Sequence, residues 1–184
     1  MITAYIDGGA RGNPGPAGYG VHIEMPDGSV EELHGALGIA TNNVAEYNGL
    51  LAALRWAVEH DHKVVKIRAD SELLVKQMRG EYKVKNPGLQ PLVARARILV
   101  AQLDRVTFEH VPREQNQDAD RLSNVAMDDT EEALRNPPPL PGPPGQGEFF
   151  YPFNASTGST RAARRAGRTD AAHTTPVVAT AITT

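Results

Sequence analysis

Four carboxylate residues stand at informative positions relative to the predicted strands and helices. Asp7 ends a short strand before a glycine turn, and Asp70 ends the apolar strand 63–70. Glu46 occupies the first turn of a long helix, and Asp120 lies one turn into the last helix. Each residue alone is explained as a strand-end cap or as a charge near a helix N-terminus. The chemistry depends on whether the four act together.

A cluster of these acids would have a definite chemistry. Carboxylates that share a site repel one another unless a cation or raised pKa values relieve the repulsion. An all-oxygen cluster without cysteine suits the hard cations Mg²⁺ or Mn²⁺. Two such ions about 4 Å apart would hold the attacking and leaving oxygens of a phosphodiester displacement. Sequence spacing alone does not show that the four side chains meet in the folded protein.

The elements that carry these acids follow a mixed α/β pattern. Apolar alternation and hairpin signals predict three initial strands. A change to three- and four-residue apolar spacing then predicts a long helix, capped by Thr41 or Asn42. The order β-β-β-α-β-α-α-β-α implies a five-stranded mixed sheet flanked by helices, with three antiparallel strands followed by parallel strands. The predicted strands are 2–7, 18–25, 30–38, 63–70 and 106–111, and the helices are 43–60, 71–80, 89–103 and 116–127.

Composition divides the 184 residues into a domain at 1–129 and a proline-rich tail or linker at 130–184. Seven of the 14 prolines lie in 137–152, where fixed φ angles and missing donors favour extended chain. The remainder lacks helical or strand periodicity, which predicts disorder. Its aromatic residues are either a stray cluster or a docking motif for an unknown partner: Phe149, Phe150, Tyr151 and Phe153.

Composition and charge exclude several classes of protein. The chain has no cysteine, which excludes a disulfide scaffold, a cysteine-ligated metal site and a cysteine nucleophile. No apolar run approaches the roughly 18–20 residues of a membrane span, and no signal peptide follows Met1. A cytoplasmic protein without a membrane partner is therefore expected, as is a monomer. The formal net charge of −3, taken over the whole chain, disfavours a nucleic-acid partner.

Four ordered segments carry a further pattern, and together they cover most of 1–127. They are YIDGGARGNPGPAGYG (5–20), TNNVAEYNGLLAAL (41–54), IRADSELLVKQM (67–78) and HVPREQNQDADRLSN (110–124). This set resembles type 1 ribonuclease H. The resemblance implies the ribonuclease H-like fold and an endonuclease that hydrolyses the RNA strand of RNA–DNA hybrids. It also implies two Mg²⁺ or Mn²⁺ ions per active site with substrate bound, and 5′-phosphate and 3′-hydroxyl products.

The resemblance assigns roles to individual residues. Asp7 would bridge both ions, with Glu46 and Asp70 on the ion beside the leaving oxygen. Asp120 would help to hold the ion that activates the attacking water. Hybrid contacts would come from amides, which both donate and accept toward groove edges and 2′-hydroxyls. These amides are Asn13, Asn42 and Asn43, and the further substrate-binding positions are Gly8, Ser71 and Thr41, the last near a DNA phosphate.

The chain departs from the family pattern before the last acid. Many members have a catalytic histidine in a flexible loop there, and the nearest histidine here is His110, ten residues before Asp120. Aligning FEHVP to the last strand places His110 inside that strand as a half-buried residue. The shortened loop then presents Arg113 or Glu114 instead, as in the short-loop branch of the family. Arg113 is preferred as the fifth catalytic residue, because a loop residue can reach the scissile phosphate.

The basic protrusion that some members use to grip the hybrid is also missing, because only a short loop separates the two central helices. Residues 63–97 contain nine basic and three acidic side chains, a local net charge of +6 around Asp70. This stretch reverses the inference from the bulk charge and supplies candidate phosphate contacts. The candidates are Lys76, Arg79, Lys83 and Lys85.

Three alternatives to a stand-alone nuclease stay open on the sequence. A resolvase or transposase core shares clustered carboxylates but would not be expected to match the GNPG and TNNVAEYN segments. A non-catalytic hybrid-binding module would have no reason to keep four mutually repelling acids. The third alternative is the nuclease domain of a bifunctional protein, which the proline-rich tail permits.

Overall fold

The computed structural model describes residues 1–137, which form a five-stranded mixed sheet flanked by helices. The predicted order of elements is confirmed, with an additional turn of 3-10 helix at Arg113–Gln115. Within this part of the chain, no helix is both long and apolar enough to cross a membrane. The strands are β1 (Ile2–Ala10), β2 (Gly15–Glu24), β3 (Val30–Ala40), β4 (Val64–Ala69) and β5 (Arg105–His110), and the helices are α1 (Asn42–Glu59), α2 (Glu72–Met78), α3 (Gln90–Val100) and α4 (Gln117–Arg135).

The strand order in the sheet is β3-β2-β1-β4-β5. β2 is antiparallel to both β1 and β3, whereas β1, β4 and β5 run parallel to one another. In the register of the central pair, Ile6 lies opposite Ala69. Asp7 and Asp70 are the next residues along these two neighbouring parallel chains. The topology therefore brings two of the four predicted acids to the same edge of the sheet.

α1 and α4 cover opposite faces of the sheet at β1. Ile2, Ala4 and Ile6 alternate with less buried residues along β1 and join the core that α1 completes. On the other face α4 packs closely on β2, where a Cβ atom on Gly20 would lie 2.3 Å from the Ala119 carbonyl oxygen. β1 therefore lies between the two helices that carry the remaining predicted acids.

The first strand is longer than the sequence predicts. A turn is expected directly after Asp7, but β1 continues to Ala10 and pairs with β2 through Gly8 and Gly9. The glycine at position 8 has a steric explanation, because a Cβ atom there would lie 2.2 Å from the backbone nitrogen of Glu46. Glycine at this position permits close packing of α1 on the strand and does not mark a turn.

Helix α4 extends beyond the predicted helix end at 127 and beyond the predicted domain end at 129. It continues to Arg135, and its buried Thr130 donates a hydrogen bond to the Ala17 carbonyl at 2.8 Å. This contact anchors the additional turns of α4 to β2. The predicted tail from residue 138 onwards, with the aromatic cluster around Phe149, lies outside the described residues.

Candidate active site

Asp7 and Asp70 are held side by side by two donors that α4 and its preceding residue supply. Asp7 is 8% exposed and accepts a hydrogen bond from the Ser123 hydroxyl. The Asn116 side-chain amide donates to the Asp70 carboxylate at 3.3 Å. The same amide donates to the Ile6 carbonyl oxygen at 2.9 Å. Asn116 therefore ties the ends of β1 and β4 together beneath the two acids.

Glu46 reaches the same edge of the sheet from α1. Thr41 caps this helix, as predicted, because its hydroxyl accepts a hydrogen bond from the Val44 amide at 3.4 Å. Since α1 begins at Asn42, Glu46 lies in its second turn, and the predicted first-turn position is wrong. The close approach at Gly8 lets the backbone of Glu46 lie against β1, and the side chain is only 6% exposed.

Three of the four predicted acids converge. One carboxylate oxygen from each of Asp7, Glu46 and Asp70 lies within 4.8 Å of the other two. Burial raises the pKa of Asp7 to about 6, and the charges of Asp70 and Asp120 add to this effect. Burial, with the neighbouring charges of Asp7 and Asp70, raises the pKa of Glu46 well above its ordinary value. The cluster is therefore a set of poorly hydrated, mutually repelling oxygen ligands.

One atom of the cluster bears directly on cation binding. Glu46 Oε2 is buried and has no hydrogen-bond partner among the described residues. A buried polar oxygen without a partner is unfavourable unless some other group satisfies it. A cation that prefers oxygen ligands would satisfy Oε2 and relieve the repulsion between the three carboxylates together. The residues present therefore fit a divalent metal ion.

Asp120, the fourth predicted acid, shares a cleft of about 270 Å³ with the three-carboxylate cluster but is not a member of it. Arg113, in the turn before α4, also lines this cleft and donates to the Asp120 carboxylate. That hydrogen bond raises the pKa of Arg113 above its ordinary value. Asn124 donates to the Asp120 backbone carbonyl at 2.7 Å. Asp120 therefore faces the cluster while paired with a guanidinium.

The chain before α4 takes the shortened form that the strand alignment predicts. His110 is the last residue of β5, as expected, whereas Arg113 is among the residues that line the cleft. His110 is exposed and not half-buried as predicted. Within residues 1–137, β5 is the last strand of the sheet, so the outer side of His110 is not covered by another strand there. The loop thus places Arg113 beside the acids.

The predicted hybrid-contacting amides Asn13 and Asn42 join the β1–β2 turn to the start of α1. The Asn13 side chain accepts a hydrogen bond from the Asn42 backbone amide at 3.3 Å. The Asn42 side chain in turn accepts from the Ala10 backbone amide at 3.3 Å. Asn42 and Gly8 line the cleft. Both side-chain oxygens are therefore engaged within the protein.

Asn43 and Ser71 lie beside Glu46, around a gap that has no room for a water molecule. The Ser71 hydroxyl caps α2 by accepting a hydrogen bond from the Leu74 amide at 3.4 Å. Ser71 thus has a structural contact in addition to its predicted substrate contact.

Two of the predicted phosphate-contacting side chains have partners inside the protein. Lys76 pairs with Glu72 at 2.7 Å, one turn earlier on α2. Arg79 donates to the carbonyl oxygen of Phe108 on β5, with an Nε–O distance of 3.0 Å. Neither side chain lines the cleft that holds the acids. A phosphate would have to compete with these contacts.

The other two predicted phosphate contacts lie in the loop between α2 and α3. Lys83 borders a separate groove of about 390 Å³ together with Arg97 and Tyr82. Lys85, two residues further along, is exposed. This loop forms a small basic surface next to α2, where some family members would have the basic protrusion.

Sequence reasoning missed two buried polar residues of the site, Ser123 and Asn116. Each is 1% exposed, and each donates to one of the converging acids. The available signal is weak, since Ser123 follows Asp120 by three residues and therefore shares its helix face. Asn116 directly precedes α4, where an asparagine usually caps the helix. Its side chain makes no capping hydrogen bond to α4 here.

A second group of possible metal ligands occurs elsewhere, at His22, Glu32 and Asp118. Both of its acids are exposed. Arg121 pairs with Glu32 at 2.6 Å and approaches Asp118 at 3.9 Å. Arg121 therefore balances part of the charge of this group within the protein, which is typical of an ordinary surface network.

Comparison with known proteins identifies the family. A family model described as reverse transcriptase-like matches residues 5–126. A ribonuclease HI of Halobacterium salinarum is 42% identical over 129 residues, which are 70% of this chain and 65% of that relative. The crystal structure of RNase H1 from this archaeon has a TM-score of 0.67 and covers 70% of this chain and 98% of that one. The chain belongs to the type 1 ribonuclease H family.

Two other members of the type 1 ribonuclease H family are informative. A bifunctional protein of Mycobacterium tuberculosis is 50% identical over 129 residues, 69% of this chain and 35% of that relative. Its N-terminal RNase H domain has a solved structure with 46% identity and a TM-score of 0.68, covering 73% of this chain and 99% of that one. LC11-RNase H1, solved in complex with an RNA/DNA hybrid, is 42% identical with a TM-score of 0.67. The match covers 71% of this chain and 99% of that one. The chain spans about a third of the length of the mycobacterial relative.

Proposed function

We propose that the protein is a metal-dependent endoribonuclease that hydrolyses the RNA strand of RNA–DNA hybrids and leaves 5′-phosphate and 3′-hydroxyl ends. The observation that carries this proposal is the convergence of Asp7, Glu46 and Asp70, with a buried and unpaired Glu46 oxygen. Membership of the ribonuclease H family supports it, as does the solved hybrid complex of LC11-RNase H1. A binding module would gain nothing from a repulsive buried cluster.

The carboxylates are the proposed ligands of Mg²⁺ or Mn²⁺, which prefer oxygen donors. Asp7, Glu46 and Asp70 would hold one ion, and Asp7 with Asp120 would hold a second. When bound, such a pair supplies the Lewis acidity that stabilises the attacking and leaving oxygens of a phosphodiester displacement. The buried position of Asp7 and Glu46 excludes water from one side of the site, which strengthens electrostatic interactions there.

Arg113 is proposed to stabilise charge in the cleft and not to accept a proton. Its guanidinium remains protonated, since the hydrogen bond to Asp120 raises its pKa. The same hydrogen bond holds the Asp120 carboxylate beside a positively charged partner. Because Arg113 is largely exposed, its remaining N–H groups can donate to a phosphate oxygen of the substrate.

The amides at the start of α1 are proposed to recognise the hybrid. Asn13 and Asn42 use their side-chain oxygens within the protein, so their NH₂ groups are the ones available to the substrate. Acceptors on groove edges and 2′-hydroxyl oxygens fit these donors. Asn43 and Ser71 would extend the contact, because they lie next to Glu46.

Cleavage of an end-labelled RNA–DNA hybrid tests the proposal. The expected result is cleavage with Mg²⁺ or Mn²⁺, none with EDTA, and none of a DNA duplex of the same sequence. Asp7→Asn and Asp70→Asn should abolish cleavage, while phosphatase treatment should remove a 5′-phosphate from the product. Cleavage that survives EDTA, or that is undiminished in both variants, would reject the metal-dependent mechanism. Hybrid binding without cleavage in either metal would instead favour the non-catalytic binding module.

A second candidate is the same nuclease acting as one domain of a bifunctional protein. The mycobacterial relative favours it, because that protein is named bifunctional and the match covers only 35% of its length. Mass spectrometry of the protein isolated from its own cells would detect additional chain. We further propose a monomeric, cytoplasmic enzyme, which gel filtration and cell fractionation would check.

A further inference from the structure

We infer that Ser123 is a positioning residue for metal binding, because its hydroxyl fixes the Asp7 carboxylate in the orientation that holds a divalent cation. This inference rests on the proposed function. Ser123 is 1% exposed and donates to Asp7 Oδ2, although the two residues are 116 positions apart. A buried hydroxyl aimed at a carboxylate of the cluster therefore has a specific partner and is not simply a solvated helix residue.

The packing of α4 on the sheet explains why the hydroxyl reaches Asp7. Asp7 pairs in register with Gly20 on β2. A Cβ atom on Gly20 would lie 2.5 Å from the Ser123 backbone nitrogen, so only glycine allows α4 to come this close. Ser123 consequently sits above the strand pair that carries Asp7, at a place fixed by rigid backbone on both sides.

The hydroxyl has one proton and two possible acceptors. Its oxygen lies near Asp7 Oδ2 and 2.9 Å from the Asp120 backbone carbonyl. A carboxylate is the stronger acceptor, so the proton is donated to Asp7. Among the described residues, Ser123 is the side-chain donor to Asp7, and it engages only one of the two carboxylate oxygens. The other oxygen, Oδ1, is left for a ligand.

This arrangement assigns an energetic role to Ser123. A cation requires Asp7 to be ionised and ordered, although burial and the neighbouring acids oppose the charge. A donor on Oδ2 compensates for part of the lost hydration and restricts rotation of the carboxylate. Hydrogen bonds to metal-ligating carboxylates typically change metal affinity by about 10–100-fold. Loss of the hydroxyl should therefore weaken metal binding.

The change in metal affinity on loss of the Ser123 hydroxyl would have the opposite sign if this hydroxyl competed with the cation for Asp7 Oδ2. Removing a competitor would tighten metal binding, whereas removing a positioning donor weakens it. The direction of the change in Mn²⁺ affinity consequently separates the two roles. Thr130 provides a matched control, because it is another buried hydroxyl on α4 that donates to a backbone carbonyl away from the acids.

Calorimetric titration of the full chain with Mn²⁺ alone, without nucleic acid, tests the inference. Ser123→Ala should bind Mn²⁺ at least about tenfold more weakly than wild type. Ser123→Cys, close in size and a weaker donor, should lie between the two, and Thr130→Ala should bind like wild type. Circular dichroism establishes that each variant is folded.

Equal or tighter Mn²⁺ binding by folded Ser123→Ala would overturn the inference. So would an equal weakening in Thr130→Ala, since the effect would then reflect general loss of packing in α4. A wild-type protein that binds Mn²⁺ and cleaves the hybrid, with unchanged Mn²⁺ affinity in Ser123→Ala, rejects this inference alone. A wild-type protein that neither binds Mn²⁺ nor cleaves the hybrid overturns the proposed function and the inference with it.

Discussion

The buried carboxylate of Glu46 should lower the stability of the metal-free protein. Its Oε2 atom is unpaired, and the Asp7 and Asp70 carboxylates lie beside it. In Glu46→Gln, a neutral amide of the same shape would donate to those neighbours in place of repelling them. We expect Glu46→Gln to raise the free energy of unfolding by about 1 kcal/mol. For a domain of this size, this corresponds to a rise in Tm of about 3–6 °C.

Thermal melts in EDTA should show this rise in Tm for Glu46→Gln, together with loss of the stabilisation that Mn²⁺ gives to wild type. Hybrid cleavage should fall by about 100-fold or more. Glu59→Gln is the matched control, since Glu59 is an exposed acid on the same helix. A lower Tm for Glu46→Gln in EDTA would contradict the assignment of Glu46 as an uncompensated ligand.

The raised pKa of Asp7 makes the stability of the metal-free protein depend on pH. Its pKa is about 6 in the folded protein against 3.8 as the ordinary value. Because the folded state binds the proton more tightly, this contribution is fully present below about pH 4 and is lost as pH rises through 6. Two pKa units correspond to about 3 kcal/mol.

The difference in unfolding free energy between Asp7→Asn and wild type isolates this contribution, because asparagine does not titrate. In EDTA, the variant should gain on wild type between pH 4 and 7, by up to about 3 kcal/mol, and no further at higher pH. Denaturant melts across this range supply the measurement. A difference that is constant with pH would mean that the Asp7 carboxyl is hydrated and has its ordinary pKa.

The positions of Arg113 and His110 relative to the cleft predict which of the two residues assists catalysis. Arg113 lines the cleft and donates to Asp120, whereas His110 is exposed at the end of β5. Arg113→Ala should therefore lower kcat by about 100-fold, while His110→Ala should stay close to wild type. Arg113→Lys should recover only part of the loss, because it keeps the charge but not the planar donor group. A larger kcat loss for His110→Ala would show that the loop is aligned wrongly.

At the scale of elements, the approach of α1 to β1 should depend on Gly8. A Cβ atom there would meet the backbone of Ala45 and Glu46 at 2.2 Å, and backbone cannot move aside as a flexible side chain can. Gly8→Ala should destabilise the fold by about 1–3 kcal/mol or more. It should also displace Glu46, so Mn²⁺ should no longer raise Tm.

Thermal melts with and without Mn²⁺ measure both effects of Gly8→Ala. Gly88→Ala is the matched control, because a Cβ atom at Gly88 would approach only the Asn86 side chain, at 3.2 Å. If Gly8→Ala retained a normal Mn²⁺ response, the placement of Glu46 would not depend on this close approach.

The elements show which parts of the site could be read from the sequence. Asp70 was accessible because apolar residues followed at once by an acid mark a strand end. Thr41 was accessible because a helix cap is a local feature. The Ser123 contact was not, since its partner lies 116 positions away and a helical serine is ordinarily solvated. The turn predicted from the glycines after Asp7 is wrong because Gly8 packs against α1 and Gly9 against Met127 of α4. These contacts are distant in sequence and override a local preference for a turn.

At the scale of the whole molecule, charge is distributed unevenly rather than simply negative. Residues 1–135 contain 15 Lys+Arg and 20 Asp+Glu, a net charge of −5. Two divalent cations would bring this to −1, and the acids they neutralise lie at one edge of the sheet. Arg79 and Lys76 are engaged internally. We therefore expect attraction for a hybrid to come from Arg113 in the cleft and from the exposed basic groups of the α2–α3 loop.

This distribution makes the salt dependence of hybrid binding a test of the α2–α3 loop. Each lost phosphate contact should reduce the slope of log Kd against log salt concentration by about 0.7–0.9. A Lys83→Ala, Lys85→Ala double variant should thus lose about 1.5 from the slope and bind more weakly at low salt. Anisotropy titrations in an Asp70→Asn background, which prevents cleavage, provide the measurement.

Lys63→Ala is the control for these titrations, because Lys63 precedes β4 at the opposite edge of the sheet from Asp70 and pairs with Asp61 at 2.7 Å. Its loss removes one positive charge, half of what the double variant removes, without touching the α2–α3 loop. An equal change of slope in Lys63→Ala, scaled to one charge, would show that binding responds to net charge alone. A slope changed only by the loop variants would place the phosphate backbone beside the α2–α3 loop.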